Sequence, residues 1–88
     1  MKVLEVGAGT GTLTMNILKG LHAPDGRRMY SNYVFTDVSS GFFVAAKEKF
    51  AQYTNLTFKT LDITVNPVEQ GFDAAAYDLI ICDNKLKH

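Results

Sequence analysis

Apolar and polar positions along the chain alternate between two periods. Val3-Leu4-Glu5-Val6 is a short strand-like run that ends in a cluster of glycines. After Gly11 the spacing turns helical, with Leu13, Ile17, Leu18 and Leu21 on one side. Gly20 weakens the end of that helix, and residues 22–28, which contain Pro24, Asp25 and Gly26, predict a turn-rich connection. Tyr33-Val34-Phe35-Thr36 is a β-branched and aromatic run closed by Asp37. Ser39 or Ser40 is placed to cap a second helix, whose Phe43, Ala46, Phe50 and Tyr53 recur at three- and four-residue steps. Its other face carries Lys47, Glu48, Lys49 and Gln52. Residues 56–61 alternate as a third strand would and end at Asp62; residues 67–72 predict a short helical turn and a loop. Residues 77–82 form a fourth, nearly all-apolar run, as expected for a strand covered on both faces.

Strand, helix, strand, helix, strand, loop, strand is the pattern of a parallel sheet with right-handed crossovers. The expected fold class is therefore α/β, a Rossmann-like three-layer sandwich. Helices are needed on both faces of such a sheet, and the chain stops within six residues of its fourth strand. A central apolar strand would then form a bare edge. The expectation is one domain, residues 1–88, that is part of a larger fold truncated after the fourth strand.

Composition narrows the functional classes. Of 88 residues, 47% are hydrophobic, and nine basic side chains balance nine acidic ones. The zero net charge removes the basic footprint of a nucleic-acid binder, and Arg27-Arg28 reads as a pair of solvated loop charges. No apolar run approaches the roughly 20 residues that cross a bilayer, and no leader-like segment opens the chain; the expected compartment is the cytoplasm. His22 and His88 lie far apart without zinc-ligand spacing, so no metal site is predicted. Cys82, inside Leu79-Ile80-Ile81-Cys82, is expected to be a buried thiol.

The most informative segment is Glu5-Val6-Gly7-Ala8-Gly9-Thr10-Gly11. Glycines at every second position after a strand allow positive φ and remove Cβ atoms that would block a ligand. A cofactor can then lie against the main chain, facing the free N–H groups of the following helix. The spacing is Gly-x-Gly-x-Gly, not the Gly-x-Gly-x-x-Gly of dinucleotide-binding folds, and no Gly-Lys-Ser/Thr is present. Asp37, at the carboxyl end of the second strand, is placed to accept ribose hydroxyls; the competing reading is a turn or cap residue. Asp62, at the end of the third strand, is placed to accept from the exocyclic amine of adenine, against the reading of a plain turn aspartate. All three features fall on the carboxyl edge of one sheet, where the ligand crevice of such folds lies.

Leu4-Glu5-Val6-Gly7-Ala8-Gly9-Thr10-Gly11 resembles the first motif of class I S-adenosylmethionine-dependent methyltransferases. Tyr33-Val34-Phe35-Thr36-Asp37-Val38-Ser39-Ser40-Gly41-Phe42-Phe43 is similar to the second-strand segment of the C-methyltransferase domain in fungal reducing polyketide synthases. The likeness continues through Ala45-Ala46-Lys47-Glu48-Lys49-Phe50, Leu61-Asp62-Ile63, Pro67-Val68-Glu69-Gln70-Gly71-Phe72 and Tyr77-Asp78-Leu79-Ile80-Ile81. The resemblance implies S-adenosylmethionine as cofactor and a site made of Glu5, Gly7, Ala8, Gly9, Thr10, Gly11, Asp37, Val38, Asp62 and Ile63. Glu5 and the glycines would face the methionine part, Asp37 the ribose and Asp62 the adenine. It further implies C-methylation of a β-ketoacyl chain held on an acyl carrier domain, within a multidomain synthase. In that family a histidine shortly after the fourth strand acts as base. Here Lys87 stands at its place and His88 follows one residue late, which makes His88 the candidate base.

Two other readings stay open. A degenerate remnant that binds cofactor weakly, or serves only structure, is favoured by Lys87 and the early stop. A nicotinamide-dependent oxidoreductase is disfavoured by the glycine spacing.

Overall fold

In the computed structural model, which describes residues 1–82, the strand-like runs form β1 (Lys2–Val6), β2 (Asn32–Asp37), β3 (Leu56–Thr60) and β4 (Leu79–Cys82). Between them lie α1 (Thr12–Gly20), α2 (Phe43–Lys49) and short 3-10 turns at Ser40–Phe42, Pro67–Gln70 and Ala74–Ala76. The strands pair in the order β3-β2-β1-β4, and every pairing is parallel, with Leu4 opposite both Val34 and Ile80, and Phe35 opposite Phe58. The chain steps outward from β1 to β3, then returns to the far side of β1 for β4. The order thus reverses between β1 and β4, which creates the switch point where ligands settle in open α/β sheets.

Pleating sends alternate side chains to opposite faces. Val3, Tyr33 and Phe35 point to the helical side and pack with Leu18 of α1 and with Ala46 and Phe50 from the α2 segment. The Phe35 ring lies 5.3 Å from Phe58 and 6.1 Å from Phe43, centroid to centroid. Burying a ring as fully as those of Phe35 and Phe50 contributes roughly 1.5–3 kcal/mol each. The opposite face carries Leu4, Val6 and Val34, covered by Leu61, Phe72 and the half-buried Tyr77. The α/β expectation therefore holds, with both α-helices on one side and the 62–78 connection on the other.

Several local expectations are refined. The inward stripe of α1 is less apolar than expected: Leu18 is buried, and Thr14 takes the place one turn earlier. The second helix is led in by a 3-10 turn whose N-cap, Ser39, accepts from the Gly41 N–H at 3.2 Å. Residues 22–28 are more than a turn, because His22 and Arg28 form an antiparallel bridge. Arg28 is exposed, as expected, though its guanidinium also donates to the Tyr30 carbonyl at 2.7 Å.

The prediction for the fourth strand needs correction. Leu79 and Ile80 are exposed, and so is the Cys82 thiol, which had been expected inside. β4 stands at the outer position of the sheet, the bare edge expected for it, and among the described residues it pairs only with β1; what fails is the expectation that both its faces are covered. No described helix is long and apolar enough to cross a membrane.

Candidate functional site

The loop after β1 is built from backbone conformations that side chains resist. Gly7, Gly9 and Gly11 have φ of 72°, 58° and 84°, in the left-handed region that favours glycine. Main-chain bonds then fix the loop against the neighbouring strand. The Ala8 N–H donates to the Thr36 carbonyl at 2.9 Å, and the Gly11 N–H donates to the Ala8 carbonyl at 3.0 Å. The Thr36 hydroxyl donates to the Glu5 carbonyl at 2.6 Å. Gly11 is also the N-cap of α1 and offers no side-chain cap to the N–H groups of its first turn.

Gly11 has a second reason to lack a side chain. A Cβ there would sit 2.7 Å and 2.8 Å from two ring carbons of Phe50. The third glycine was expected to clear space for a ligand; it also clears space for the core. In this respect it does what the third glycine of the dinucleotide fingerprint does, which is to let helix and sheet pack closely.

Asp37 closes the other side of the loop. It ends β2 and is 7% exposed. Its Oδ2 accepts from the Gly9 N–H at 2.8 Å, and its Oδ1 accepts from the Ser39 N–H at 3.1 Å. The cap reading and the ligand reading of this residue are therefore compatible. An ionised carboxylate has about four acceptor positions, and the backbone occupies two. Val38 follows it on the surface, 67% exposed.

Asp62 stands two strands from β1 on the same edge, just beyond β3. Its Oδ1 accepts from the Thr64 N–H at 2.9 Å and from the Thr64 hydroxyl at 2.6 Å. These two bonds hold its carboxyl below the ordinary carboxylate range. The turn expected as the alternative to a ligand role is thus present. Ile63, 54% exposed, is the apolar neighbour.

Glu5 lies elsewhere. Its residue has no exposed surface, and its Oε1 accepts from the Thr14 hydroxyl at 2.5 Å and the Tyr33 hydroxyl at 2.6 Å. The pleat turns it toward the helical face with Val3, so it sits beneath α1 and does not open onto the crevice as expected. Burial, with the adjacent Glu5 carboxylate next in importance, pushes the Tyr33 hydroxyl well above its ordinary value.

The structure brings the glycine loop, Asp37 and Asp62 to one edge of the sheet, and sequence reasoning misses the residues that hold them. Sequence reasoning assigns no hydrogen-bonding role to Thr14, Tyr33, Thr36, Thr64 or Gln70, although Tyr33, Thr36 and Gln70 lie in the segments that carry the family resemblance. The available signal for Thr14 was a hydroxyl one turn ahead of Leu18 on the inward stripe. Lys49, on the polar face of the second helix, donates from Nζ to the Thr10 carbonyl at 3.2 Å. Thr10 itself is exposed. His22 is not part of the site: at the end of α1 it stacks 5.0 Å from Tyr53 and 5.5 Å from Tyr30, by the amino ends of the strands. His88 and Lys87 lie outside the described residues.

Comparison with known proteins agrees with this fold. The chain is 51% identical over 86 residues to methyltransferase calH of Penicillium decumbens, which covers 98% of the chain and 24% of calH. It is 52% identical over 86 residues to the highly reducing polyketide synthase gloL of Glarea lozoyensis, covering 98% of the chain but 3% of that synthase. The crystal structure of trans-methyltransferase CalH in complex with SAH superposes with a TM-score of 0.90 at 50% identity, over 96% of this chain and 24% of that one. The CurJ carbon methyltransferase gives a TM-score of 0.79 at 44% identity, over 96% and 21% of the two chains. The chain thus spans about a quarter of calH, and a small part of the synthase. The family profile described as methyltransferase domain matches residues 4–88, and the chain belongs to that family.

Proposed function

We propose that residues 1–88 are the N-terminal cofactor-binding part of an S-adenosylmethionine-dependent methyltransferase. One observation carries the reading. The buried Asp37 carboxylate grips the Gly9 N–H of a loop with three left-handed glycines, so an acceptor for hydroxyls and a bare main chain share one crevice. That combination fits an adenosyl group. Asp37 keeps acceptor positions for the ribose hydroxyls, Gly7, Ala8, Gly9, Thr10 and Gly11 leave room for the aminoacyl portion, and Val38 and Ile63 offer apolar edges to a purine. Asp62 is the acceptor for the purine amine. We assign Glu5 a supporting role, holding the first turn of α1 through Thr14.

When bound, S-adenosylmethionine supplies an electrophilic methyl group on a sulfonium centre. The work left to these residues is alignment of donor and acceptor, the main contribution a protein makes to such a transfer. The resemblance to polyketide synthase domains and the likeness to calH and gloL support carbon methylation of a carrier-bound β-ketoacyl chain. The partners are then an acyl carrier domain and the rest of a multidomain synthase, and the setting is the cytoplasm. A carbon acceptor needs a base to form its enolate, and His88 is the candidate for it.

Titration calorimetry tests the binding step: S-adenosylhomocysteine is expected to give a saturable heat and NAD none. Absence of heat with S-adenosylhomocysteine would overturn the proposal. A second reading, a remnant that binds without transferring, is favoured by Lys87 at the place of the family histidine. Mass spectrometry of a β-ketoacyl thioester after incubation with the chain and S-adenosylmethionine separates the two, since only the enzyme adds a methyl group and releases S-adenosylhomocysteine.

A further inference from the structure

The stretch Pro67-Val68-Glu69-Gln70-Gly71-Phe72 carries part of the family resemblance, yet the cofactor site above leaves it without a task. Its geometry is that of a built arm. The Asn66 side chain caps the 3-10 turn by accepting from the Val68 N–H at 2.9 Å, and Pro67 opens it. Gly71 ends the turn with φ 89°. The Phe72 N–H returns to the Pro67 carbonyl at 3.0 Å, while the Phe72 ring is buried among Leu4, Val6, Val34 and Leu61. The arm is thereby anchored to the sheet at one end.

Gln70 is the other end. Its Oε1 accepts from the Asp62 N–H at 2.9 Å, and its Nε2 donates to the Asp62 carbonyl at 2.8 Å and the Val65 carbonyl at 3.2 Å. The last main-chain bond from β2 into this segment is the Leu61 N–H to the Asp37 carbonyl, at 3.0 Å. Beyond Leu61 the side-chain amide of Gln70 takes the place of the missing strand, gripping both polar groups of the Asp62 peptide. We infer that Gln70 is a positioning residue for purine recognition: it fixes the Asp62 backbone so that the carboxylate meets the six-amino group of the adenine. Gln70 touches no ligand itself. Only an amide offers the donor and the acceptor together in this fork; a carboxylate in its place accepts but does not donate.

This inference rests on the functional reading given above. Its test compares calorimetric affinities for S-adenosylhomocysteine and for S-inosylhomocysteine, which has a carbonyl where adenine has the amine. The wild-type chain is expected to prefer the adenosyl ligand. Gln70→Ala and Gln70→Glu are expected to weaken that ligand about tenfold. Both variants should leave the inosyl ligand within about twofold, a change too small to count as a lost hydrogen bond. The preference itself is then what collapses, and the retained inosyl binding shows that the variants fold. Equal weakening of both ligands would mean that Gln70 serves only structure, and an unchanged preference would mean that it has no part in recognition; either overturns the inference. A wild-type chain that binds neither ligand overturns the functional reading and this one together, whereas a discriminating wild type with discriminating variants overturns only the role of Gln70.

Discussion

The carboxylates at the end of β2 and just beyond β3 stand on one sheet edge, yet the chain holds them by different means. Asp37 is buried and bound by N–H groups from two separate segments, the glycine loop and the start of the next turn. Asp62 is partly exposed, and among the described residues its carboxylate is bound by Thr64, within its own turn. The first arrangement is tertiary and ties the loop to the sheet, so it cannot change without moving the loop. The second is local, and its placement depends on Gln70 reaching back from the following arm. Strength of placement therefore falls from the inner strands toward the outer one, and the parts of an adenosyl ligand nearest β1 should tolerate the least change.

The largest effect is expected where the loop meets the core. Gly11→Ala forces a side chain into φ 84° and against the Phe50 ring. Left-handed strain and overpacking together cost about 2–5 kcal/mol. Chemical denaturation should show that loss; a midpoint within error of wild type would mean that the Phe50 contact yields freely.

Next comes the direct contrast. Asp37→Asn removes a charge-assisted acceptor and sets an amide donor against the Gly9 or Ser39 N–H. S-adenosylhomocysteine affinity should drop about 10- to 100-fold, the range for a hydrogen bond to a charged group. Asp62→Asn should cost less than about fivefold, because the asparagine amide keeps an oxygen that accepts from the purine amine, whereas loss of Gln70 displaces the acceptor altogether. Equal losses at the two positions would break the comparison.

The smallest effect probes the support beneath the loop. Tyr33→Phe deletes the phenol's bond to Glu5 and should destabilise the fold by about 1 kcal/mol. Its pH dependence has a definite sign. The folded chain keeps the Tyr33 proton above the ordinary value of 10.0, while the unfolded chain releases it there. The native state thus binds more protons in alkali, and stability falls as pH rises past about 10. Thermal melts from about pH 9 to 11 should decline less steeply for Tyr33→Phe than for wild type.

Much of this was legible in the chain because it is written locally. The alternation in residues 56–61, the steps from Phe43 to Phe50 and the glycines after Val6 each report on a single element. Asp37 was legible because a strand end and a glycine turn must meet in a right-handed crossover. Three things were not legible, for one shared reason. Phe50 beneath Gly11, Gln70 on Asp62 and Tyr33 on Glu5 pair positions distant in sequence, and no periodicity records which partner a side chain finds. Cys82 failed differently. Its apolar neighbours describe the strand correctly, and its place at a bare edge is expected, but an apolar run does not say whether anything covers its faces.

The contact between Phe50 and Gly11 bears on any attempt to retrain this fold for nicotinamide chemistry. Moving the third glycine one place along, to the dinucleotide spacing, means adding a side chain at Gly11 while stripping Thr12. The new Cβ would strike the Phe50 ring before any ligand arrived. Exchange of cofactor class would thus require a smaller residue at position 50 in the same step, and a search one substitution at a time would meet a barrier in the core before it met one in the crevice.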